Sequence, residues 1–340
     1  MTIAVTGSMA YDYIMSFPGR FVEHILPDQL HVLSISFLVD SMRRERGGCA
    51  GNIAHNLALL GQQPLLIATV GQDAHEYVAL LREQGVDVSG VKVVPDEFTA
   101  SFFVSTDRDN NQIASFYTGA MAKAVQLSLR DHHPETIELA IISPNDPAAM
   151  VKYVRECQEL GIPYIYDPSQ QIPRLTAEQL LEGIRGAEVL IVNDYEFGMI
   201  RRRTGLREDE IGRMVKALVI TRGEHGSQIR TREGVWDIPA VPPSRLVDPT
   251  GVGDGYRAGL ITGMRYGLPW DVAGRMGSLA ATYVLEEHGT QRHYYTLESF
   301  IQRYAECFGD STPLQVLQQK SSGTPSPASQ PLPITTRSRS

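Results

Sequence analysis

The chain has 340 residues, of which 42% are hydrophobic and 21% are charged, and its formal charge at pH 7 is -8. This composition predicts a packed globular fold and excludes a fibrous or fully disordered chain, and the acidic balance argues against a nucleic acid or an anionic membrane as the main partner. The three cysteines lie far apart without metal-ligand spacing, so we expect neither a disulfide framework nor a zinc site.

Short apolar runs rich in β-branched residues alternate with helical stretches along most of the chain. The chain begins with a strand-like run rather than a basic and then apolar leader, and no apolar run approaches membrane-spanning length, so we expect a cytoplasmic protein. The alternation predicts an α/β fold with a mostly parallel sheet covered by helices on both faces. The predicted strands are 3–5, 65–70, 139–142, 164–166, 189–192 and 218–221, and the predicted helices are 52–60, 74–84, 148–160 and 270–287.

Two regions interrupt the alternation and are predicted to be antiparallel: residues 30–39, and the pair 100–106 and 112–118 joined by a turn-rich segment. We interpret them as a small β-lid drawn from about residues 12–45 and 97–118. Some of its aromatic residues should face a ligand or a second subunit, and the others can form a core of the lid itself. We therefore expect a homodimer through the lid. The aromatic residues are Phe37, Phe102, Phe103, Phe116 and Tyr117.

From residue 311 onward the composition changes to Ser, Thr, Pro and Gln, with few large apolar side chains. Such a segment cannot bury enough apolar area to offset its ordering entropy. The sequence therefore predicts one folded domain over residues 1–310 and a disordered tail over residues 311–340.

The most informative segment is 247–259, VDPTGVGDGYRAG, in which Pro, Thr and two glycines precede a helical stretch. A tight turn there should present free backbone N–H groups at a helix N-terminus, which is a ready anion site. Asp254 lies among those groups, so it can act as a general base beside a phosphate, as phosphoryl transfer requires. The alternative is a first-turn acid that only the helix dipole favours. Neither a P-loop nor a dinucleotide fingerprint is available elsewhere, so phosphate handling must depend on this segment.

Four motifs, in the expected order, resemble the ribokinase-like, or PfkB, family of sugar and nucleoside kinases. Residues 248–254, DPTGVGD, are similar to the signature D-T-x-G-A-G-D, with Pro249 added and Val252 in place of the usual Ala. Residues 47–54, GGCAGNIA, resemble the family's Gly-Gly pair that opens a helix with an Asn. Residues 193–196, NDYE, match N-x-x-E, and residues 221–226, TRGEHG, match T-x-G-x-x-G. The resemblance implies a ribokinase-like three-layer α/β/α core with a small antiparallel β-lid.

The resemblance also implies roles for individual residues. Asp254 would be the catalytic base, and the N–H groups of Gly251, Val252 and Gly253 would form the anion hole. Ser8, Asp12, Gly48 and Asn52 would bind a ribose, since Asp12 can accept from two hydroxyls and Asn52 can both donate and accept. A loop cap is the alternative for Ser8 and Asp12.

The remaining family motifs are expected to bind the ATP and the metal. Glu196 would hold Mg²⁺, through water because this ion retains much of its hydration. An ordinary helix start is the alternative for N-x-x-E, and a β-turn is the alternative for T-x-G-x-x-G. The residues expected to contact ATP are Asn193, Thr221, Gly223, Gly226, Thr250 and Gly253.

The likeness narrows further, to the bacterial adenosine kinases of this family, through residues 6–12, TGSMAYD, 17–21, FPGRF, 112–117, QIASFY, and 167–171, DPSQQ. It implies transfer of the γ-phosphoryl of ATP to the 5′-hydroxyl of adenosine, giving AMP and ADP. A purine needs a flat apolar slot, which Phe102 and Phe116 could form while Gln170 or Gln171 reads a polar edge. Arg174 resembles a phosphate-contacting arginine, and a solvated surface charge is its alternative. A kinase for ribose, fructose or another nucleoside, and a catalytically silent nucleotide-binding regulator, are the rival interpretations.

Overall fold

The apolar runs of the sequence form the strands of a large central sheet. The computed structural model describes residues 2–32 and 34–321. Nine strands form one sheet in the order β13-β12-β11-β10-β9-β8-β1-β4-β5, and four form a second sheet in the order β3-β2-β6-β7. All six predicted core strands are confirmed. The strands within the described ranges are β1 (Thr2–Thr6), β2 (Ala10–Ser16), β3 (Ser41–Gly47), β4 (Leu65–Gly71), β5 (Val91–Val94), β6 (Ala100–Thr106), β7 (Gln112–Tyr117), β8 (Ile137–Ile142), β9 (Tyr164–Tyr166), β10 (Val189–Asn193), β11 (Ala217–Thr221), β12 (Ser227–Thr231) and β13 (Val235–Ile238).

Seven neighbouring strands of the large sheet, from β11 to β5, run parallel, and β12 and β13 extend the sheet in antiparallel fashion. Successive side chains of a strand point to opposite faces of the sheet, and in the central strands both sets of side chains are buried. Along β1, for example, Ile3 and Val5 belong to one hydrophobic core and Ala4 belongs to the other. Near-continuous apolar strands are therefore required here, as in other parallel sheets that are covered on both sides.

Helices cover both faces of the large sheet, which confirms the predicted three-layer α/β/α core. Core residues of α1, α2, α7, α8 and α9 pack on one face, and those of α3, α4, α5 and α6 pack on the other. No helix in the described part of the chain is long and apolar enough to cross a membrane. The helices are α1 (Cys49–Leu59), α2 (His75–Glu83), α3 (Pro147–Leu160), α4 (Ala177–Ile184), α5 (Asp194–Thr204), α6 (Glu208–Gly212), α7 (Val252–Arg265), α8 (Trp270–Leu285), α9 (Leu297–Phe308) and α10 (Gln315–Ser321).

Helix α7, which carries Asp254 in its first turn, packs unusually closely against α8. A Cβ atom added to Gly259 would lie 2.6 Å from the backbone carbonyl carbon of Met276, and one added to Gly263 would lie 2.6 Å from the Ala273 side chain. Glycine is required at these positions because the two backbones approach so closely. This packing fixes the position of the α7 N-terminus relative to the sheet.

The second sheet is the predicted lid. The pairs β2/β3 and β6/β7 are antiparallel, which confirms the small antiparallel sheet, and the central pair β2/β6 is parallel. The predicted strand at residues 30–39 is wrong: its described residues form the end of a 3₁₀ turn, Pro27–Val32, and an irregular segment. Strand β3 pairs with β2 instead. The sequence of β3 is mostly charged, so no apolar pattern predicts this strand. Residues distant in sequence stabilise it: Arg292 forms a bidentate ion pair with Glu45, and Arg44 lies over the Tyr11 ring.

The lid aromatics divide among three environments. Phe37 packs against Phe17 and Phe21, with ring centroids 5.0 and 4.8 Å apart, in a small core at one end of the lid. Phe103 stacks on Tyr13 on the outer face of the lid, the face opposite to that of Asp12. Phe102 and Phe116 are directly opposed on β6 and β7 and share the inner face of the lid. Tyr117 shares the outer face with Phe103.

The predicted disordered tail begins too early. Residues 312–314 form a 3₁₀ turn that leads into α10, and Leu314 and Leu317 are fully buried in the core on the α9 side of the sheet. These two leucines lie three residues apart, so they point to the same side and pack against the core. The high Ser, Thr and Pro content of the segment led to the prediction of disorder instead. The rest of the predicted tail, 322–340, lies outside the described residues.

Candidate active site

A cavity of about 900 Å³ opens at the carboxyl ends of the parallel strands, beneath the lid. Ligands bind at this edge in open α/β sheets, where the strand order changes direction. Among the predicted site residues, only Val252 and Gly226 do not line the cavity. Those that do are Ser8, Asp12, Gly48, Asn52, Phe102, Phe116, Gln170, Gln171, Arg174, Asn193, Glu196, Thr221, Gly223, Thr250, Gly251, Gly253 and Asp254.

Asp254 is a buried carboxylate that lines this cavity. Its side chain is 8% exposed, and Asn52 Nδ2 donates a hydrogen bond to its Oδ2 atom at 2.8 Å. Burial raises the pKa of Asp254 to about 7, although the Arg257 guanidinium and the Asn52 hydrogen bond oppose the shift. A carboxyl group with a pKa near neutrality can both accept and release a proton under physiological conditions, as a general base must.

The start of α7 offers backbone N–H groups beside Asp254. The Asp254 and Gly255 amides donate to the Gly251 carbonyl oxygen at 3.0 and 3.1 Å, whereas the Gly251 and Gly253 amides have no acceptor within residues 2–32 and 34–321. The Val252 amide makes only a long hydrogen bond, 3.5 Å, to a carbonyl oxygen of the preceding turn. Gly251 has a φ of 78°, which favours glycine and lets the chain turn into the helix. These open amides and the helix dipole form an anion site.

Asn52 is held by a buried hydrogen-bond network that fixes the orientation of its amide. Gln291 Nε2 donates to Asn52 Oδ1 at 2.8 Å, and the Thr290 hydroxyl lies 2.7 Å from the same oxygen. Gln291 in turn donates to the Tyr77 hydroxyl, which donates to a backbone oxygen at the end of β3. Asn52 Nδ2 carries a second hydrogen besides the one donated to Asp254, so the side chain can still donate to a ligand.

The expected ribose group lies together near the end of β1 and the start of β2. Burial, with the nearby carboxylates of Asp248 and Glu45, raises the pKa of Asp12 to about 6. The Asp12 carboxylate has no hydrogen-bond donor within the portion of the chain that is described, so it is available to a ligand hydroxyl. Ser8 Oγ instead accepts the backbone N–H of Cys49 at 3.2 Å, which supports the alternative role of a loop cap for this residue.

Gly48 supports the same corner of the cavity through its backbone. Its φ is 87°, and a Cβ atom there would lie 2.6 Å from the Ser8 carbonyl oxygen. The Ser8 carbonyl oxygen also accepts the Ala50 N–H at 3.0 Å, so the loop after β1 caps α1. Glycine is therefore required at position 48 for the close approach of the lid strand to this loop.

Aromatic and amide side chains line the far side of the cavity. Phe102 and Phe116 lie opposite each other on β6 and β7 and both face the cavity. Gln170 Nε2 donates to Cys49 Sγ at 3.5 Å, and Gln171 is buried with its Oε1 atom unpaired among the described residues. Arg174 is exposed at the cavity rim. Two aromatic rings and two carboxamides therefore border this side of the cavity.

Asn193 and Glu196 form a capping box at the start of α5. Asn193 Oδ1 accepts the Glu196 N–H at 2.7 Å, and Glu196 Oε2 accepts the Asn193 N–H at 2.8 Å, so the helix start that was the alternative interpretation is present. Both side chains nevertheless line the cavity, and burial raises the pKa of Glu196. Across the described residues, no three His, Cys, Asp or Glu side chains could hold a metal together. Asn193 and Glu196 supply too few oxygen ligands for an all-protein metal cage, and a single carboxylate of this kind suits an ion that keeps most of its water, such as Mg²⁺.

Of the three predicted ATP-binding residues in the turn after β11, two line the cavity and one does not. Thr221 and Gly223 line the cavity. Gly226, at a φ of 78°, instead lies against β13, where a Cβ atom would collide with the Ile238 carbonyl oxygen. Its glycine is explained by backbone packing between strands, so an ATP contact at Gly226 has no support from the cavity geometry.

Sequence reasoning missed two charged residues beside the base. Arg257, one helical turn after Asp254, forms a bidentate ion pair with Asp167 at 2.5 and 2.6 Å, and both side chains are buried. The spacing of three residues, which places Arg257 and Asp254 on one helix face, was an available signal for Arg257. Asp167 follows β9, and only the fold brings it to Arg257. Gln291 was missed for the same reason.

Comparisons with known proteins agree with this architecture. The chain is 29% identical over 303 residues to a nucleoside kinase of Methanocaldococcus jannaschii, which covers 88% of this chain and 96% of that protein. The crystal structure of that kinase, described as an archaeal member of the ribokinase family, has a TM-score of 0.79. A nucleoside kinase of Methanothermobacter thermautotrophicus is 30% identical and covers 92% of this chain and 98% of that protein.

A solved structure gives a higher identity. The nucleoside kinase of Burkholderia thailandensis in complex with inosine has a TM-score of 0.82 and 41% identity, and it covers 91% of this chain and 99% of that chain. These similarities confirm the expected ribokinase-like fold. The family model for pfkB family carbohydrate kinases matches residues 5–296. The chain therefore belongs to the pfkB family of carbohydrate kinases.

Proposed function

We propose that this protein is an ATP-dependent nucleoside kinase, with adenosine as its first candidate substrate. The observation that carries the proposal is the buried carboxylate of Asp254, whose pKa lies near 7, beside the open amides of Gly251 and Gly253. A base and an anion site in one cavity are the two elements that transfer of a phosphoryl group to a hydroxyl requires.

In the proposed reaction, Asp254 takes the proton of the nucleoside 5′-hydroxyl. The 5′-oxygen forms a bond to the γ-phosphorus of ATP, the bond from phosphorus to the β–γ bridging oxygen breaks, and its electron pair leaves with ADP. The Gly251 and Gly253 amides donate hydrogen bonds to the transferred group, whose negative charge they stabilise. Asn52 donates to Asp254 and keeps the carboxylate directed at the acceptor hydroxyl.

ATP would lie along the ends of β10 and β11, with Thr221, Gly223 and Thr250 near its phosphates and Asn193 at the start of α5. Mg²⁺, when bound, would neutralise part of the phosphate charge and align the phosphates. Glu196 has one carboxylate oxygen outside its capping box that can accept hydrogen bonds from the hydration shell of such an ion.

A nucleoside is favoured over a free sugar by the side of the cavity that faces the lid. Phe102 and Phe116 offer two apolar faces for a purine, and Asp12 is free to accept from the ribose hydroxyls. The 41% identity to a kinase that was solved with inosine supports the same substrate class. The carboxamides of Gln170 and Gln171 can donate and accept hydrogen bonds, so inosine is the second candidate after adenosine.

A substrate panel tests this proposal. ADP formation at fixed ATP should depend on a nucleoside, with adenosine and inosine turned over faster than cytidine, ribose or fructose. Faster turnover of a free sugar would identify a sugar kinase and contradict the proposal. If no acceptor stimulated ADP formation although the protein still bound ATP, the silent nucleotide-binding regulator would instead be favoured.

We also propose that the outer face of the lid forms a homodimer interface. Met42, Phe103, Ile113 and Tyr117 share that face by strand register and are between 38% and 62% exposed. Exposed apolar side chains grouped on a small sheet are typical of interaction surfaces.

A further inference from the structure

Arg257 is a buried cation whose ion pair uses only part of its donors. Its Nε atom donates to Asp167 Oδ2 at 2.5 Å, and Nη2 donates to Asp167 Oδ1 at 2.6 Å and lies 3.2 Å from Ser169 Oγ. The Arg257 and Asp167 side chains are 7% and 1% exposed. Nη1 has no hydrogen-bond acceptor anywhere in residues 2–32 and 34–321. Arg257 therefore retains two N–H donors beyond its ion pair.

The free end of this guanidinium lies at the anion site. A Cβ atom added to Gly253 would lie 2.7 Å from Arg257 Nη1, so Nη1 is in contact distance of the backbone whose amide is open to a phosphate. Both residues line the same cavity. Any side chain at position 253 would displace the guanidinium, which gives that glycine a second function besides freeing the backbone.

The charge balance of the cavity makes this cation important. The charged side chains that line it are four acids and two arginines, and of the arginines Arg174 is exposed and therefore screened by solvent. Arg257 is shielded from water, where a charge acts far more strongly on a neighbouring group. The acids are Asp12, Asp194, Glu196 and Asp254. Without Arg257, the protein would present mainly negative side chains to an incoming polyphosphate.

We propose that Arg257 is a catalytic residue whose Nη1 donates a hydrogen bond to a non-bridging oxygen of the γ-phosphoryl group during transfer. This inference rests on the proposed kinase function. The Nε–Nη2 edge stays on Asp167, which is a positioning residue, and no proton leaves the guanidinium. Arg257 thus acts from the same helix as Asp254, with the base on the acceptor hydroxyl and the cation on the transferred group.

The test compares Arg257→Lys and Arg257→Ala with the wild-type enzyme in the ADP assay. Lysine can pair with Asp167 and so limits the loss of stability, but it lacks the planar fork that holds Asp167 by one edge and directs a separate nitrogen to the phosphoryl group. We expect kcat to fall at least about a hundredfold in both variants, as for removal of an oxyanion donor. KM for the nucleoside should change less than about threefold, because the interaction is made with the transferred group. Guanidinium chloride below its unfolding range should restore part of kcat in Arg257→Ala.

Arg303→Gln is the matched control, because it removes a bidentate arginine–carboxylate ion pair, with Glu286, outside the cavity. It should keep wild-type kcat. If Arg257→Lys retained kcat within about threefold, or if its loss were confined to KM for the nucleoside, the catalytic role would be refuted. Failure of the proposed function is distinguishable, because the wild-type enzyme itself would then form no ADP in response to a nucleoside.

Discussion

Replacing Asp254 with asparagine should abolish most of the activity and yet stabilise the folded protein above neutral pH. The side chain is 8% exposed, and its burial as an ion is unfavourable despite the attraction of Arg257. Asparagine has nearly the same volume, and its carbonyl oxygen can still accept the hydrogen bond from Asn52. Arg257 keeps its partner Asp167 in the variant. The substitution therefore removes a buried charge with little change in packing.

The size of this effect follows from the pKa of Asp254. Burial raises it from 3.8 to about 7, and each pH unit corresponds to about 1.4 kcal/mol. The ionised group therefore destabilises the fold by at most about 4 kcal/mol. Between about pH 4 and pH 7 the folded protein retains a proton that the unfolded chain has lost, so wild-type stability decreases as pH rises through this window. The advantage of the variant should be near zero at about pH 4 and largest above about pH 7.

Thermal or urea unfolding at about pH 5 and about pH 8 measures this difference, with the ADP assay in parallel. We expect Asp254→Asn to lose two to four powers of ten in kcat, roughly the share of a general base. Asp237→Asn is a control, because that carboxylate is exposed and its pKa is lowered by the hydrogen bond from Gln228. If Asp254→Asn were less stable than the wild type at about pH 8, the carboxylate would not be held at an energetic cost, and the reasoning would be refuted.

Three further predictions concern the surroundings of the base and the lid. In Gln291→Met, Asn52 loses the hydrogen bond that directs its Nδ2 toward Asp254, so the pKa of Asp254 should rise. The low-pH limb of the rate profile should therefore move to higher pH, and an unchanged profile would contradict this. Phe116→Ala should raise KM for the nucleoside roughly tenfold, as expected for a lost stacking partner, with kcat nearly unchanged, whereas Tyr117→Phe should leave both constants unchanged. Ile113→Asp should convert the dimer to a monomer in sedimentation at micromolar concentration, and a wild-type monomer under the same conditions would refute the lid interface.

The central sheet could be predicted because parallel strands covered on both sides must be almost entirely apolar. The runs at Leu65–Gly71 and Val189–Asn193 satisfy this requirement by themselves. Strand β3 does not: its residues are mostly charged, and they form a strand because Glu45 pairs with Arg292, which is 247 positions away. No local pattern contains that interaction.

The same distinction separates the site residues that were found from those that were missed. Asp254 and its glycines were found because a tight turn and a helix start are local features. Asp167 and Gln291 are 87 and 37 positions from Asp254 along the chain, and only the fold brings them to Arg257 and Asn52, which line the cavity. The predicted tail began too early for a related reason. The few apolar residues of α10 stabilise a helix only because the core that they cover lies beside them in the fold.

The most direct test of the proposed mechanism is the pH dependence of a single turnover with adenosine and ATP, in wild-type protein and Asp254→Asn. The wild-type rate should rise about tenfold per pH unit and level off above about pH 7, as the base loses its proton. The variant should be slow and independent of pH in that range. A variant that kept the wild-type rate and pH profile would show that another group takes the proton from the acceptor hydroxyl.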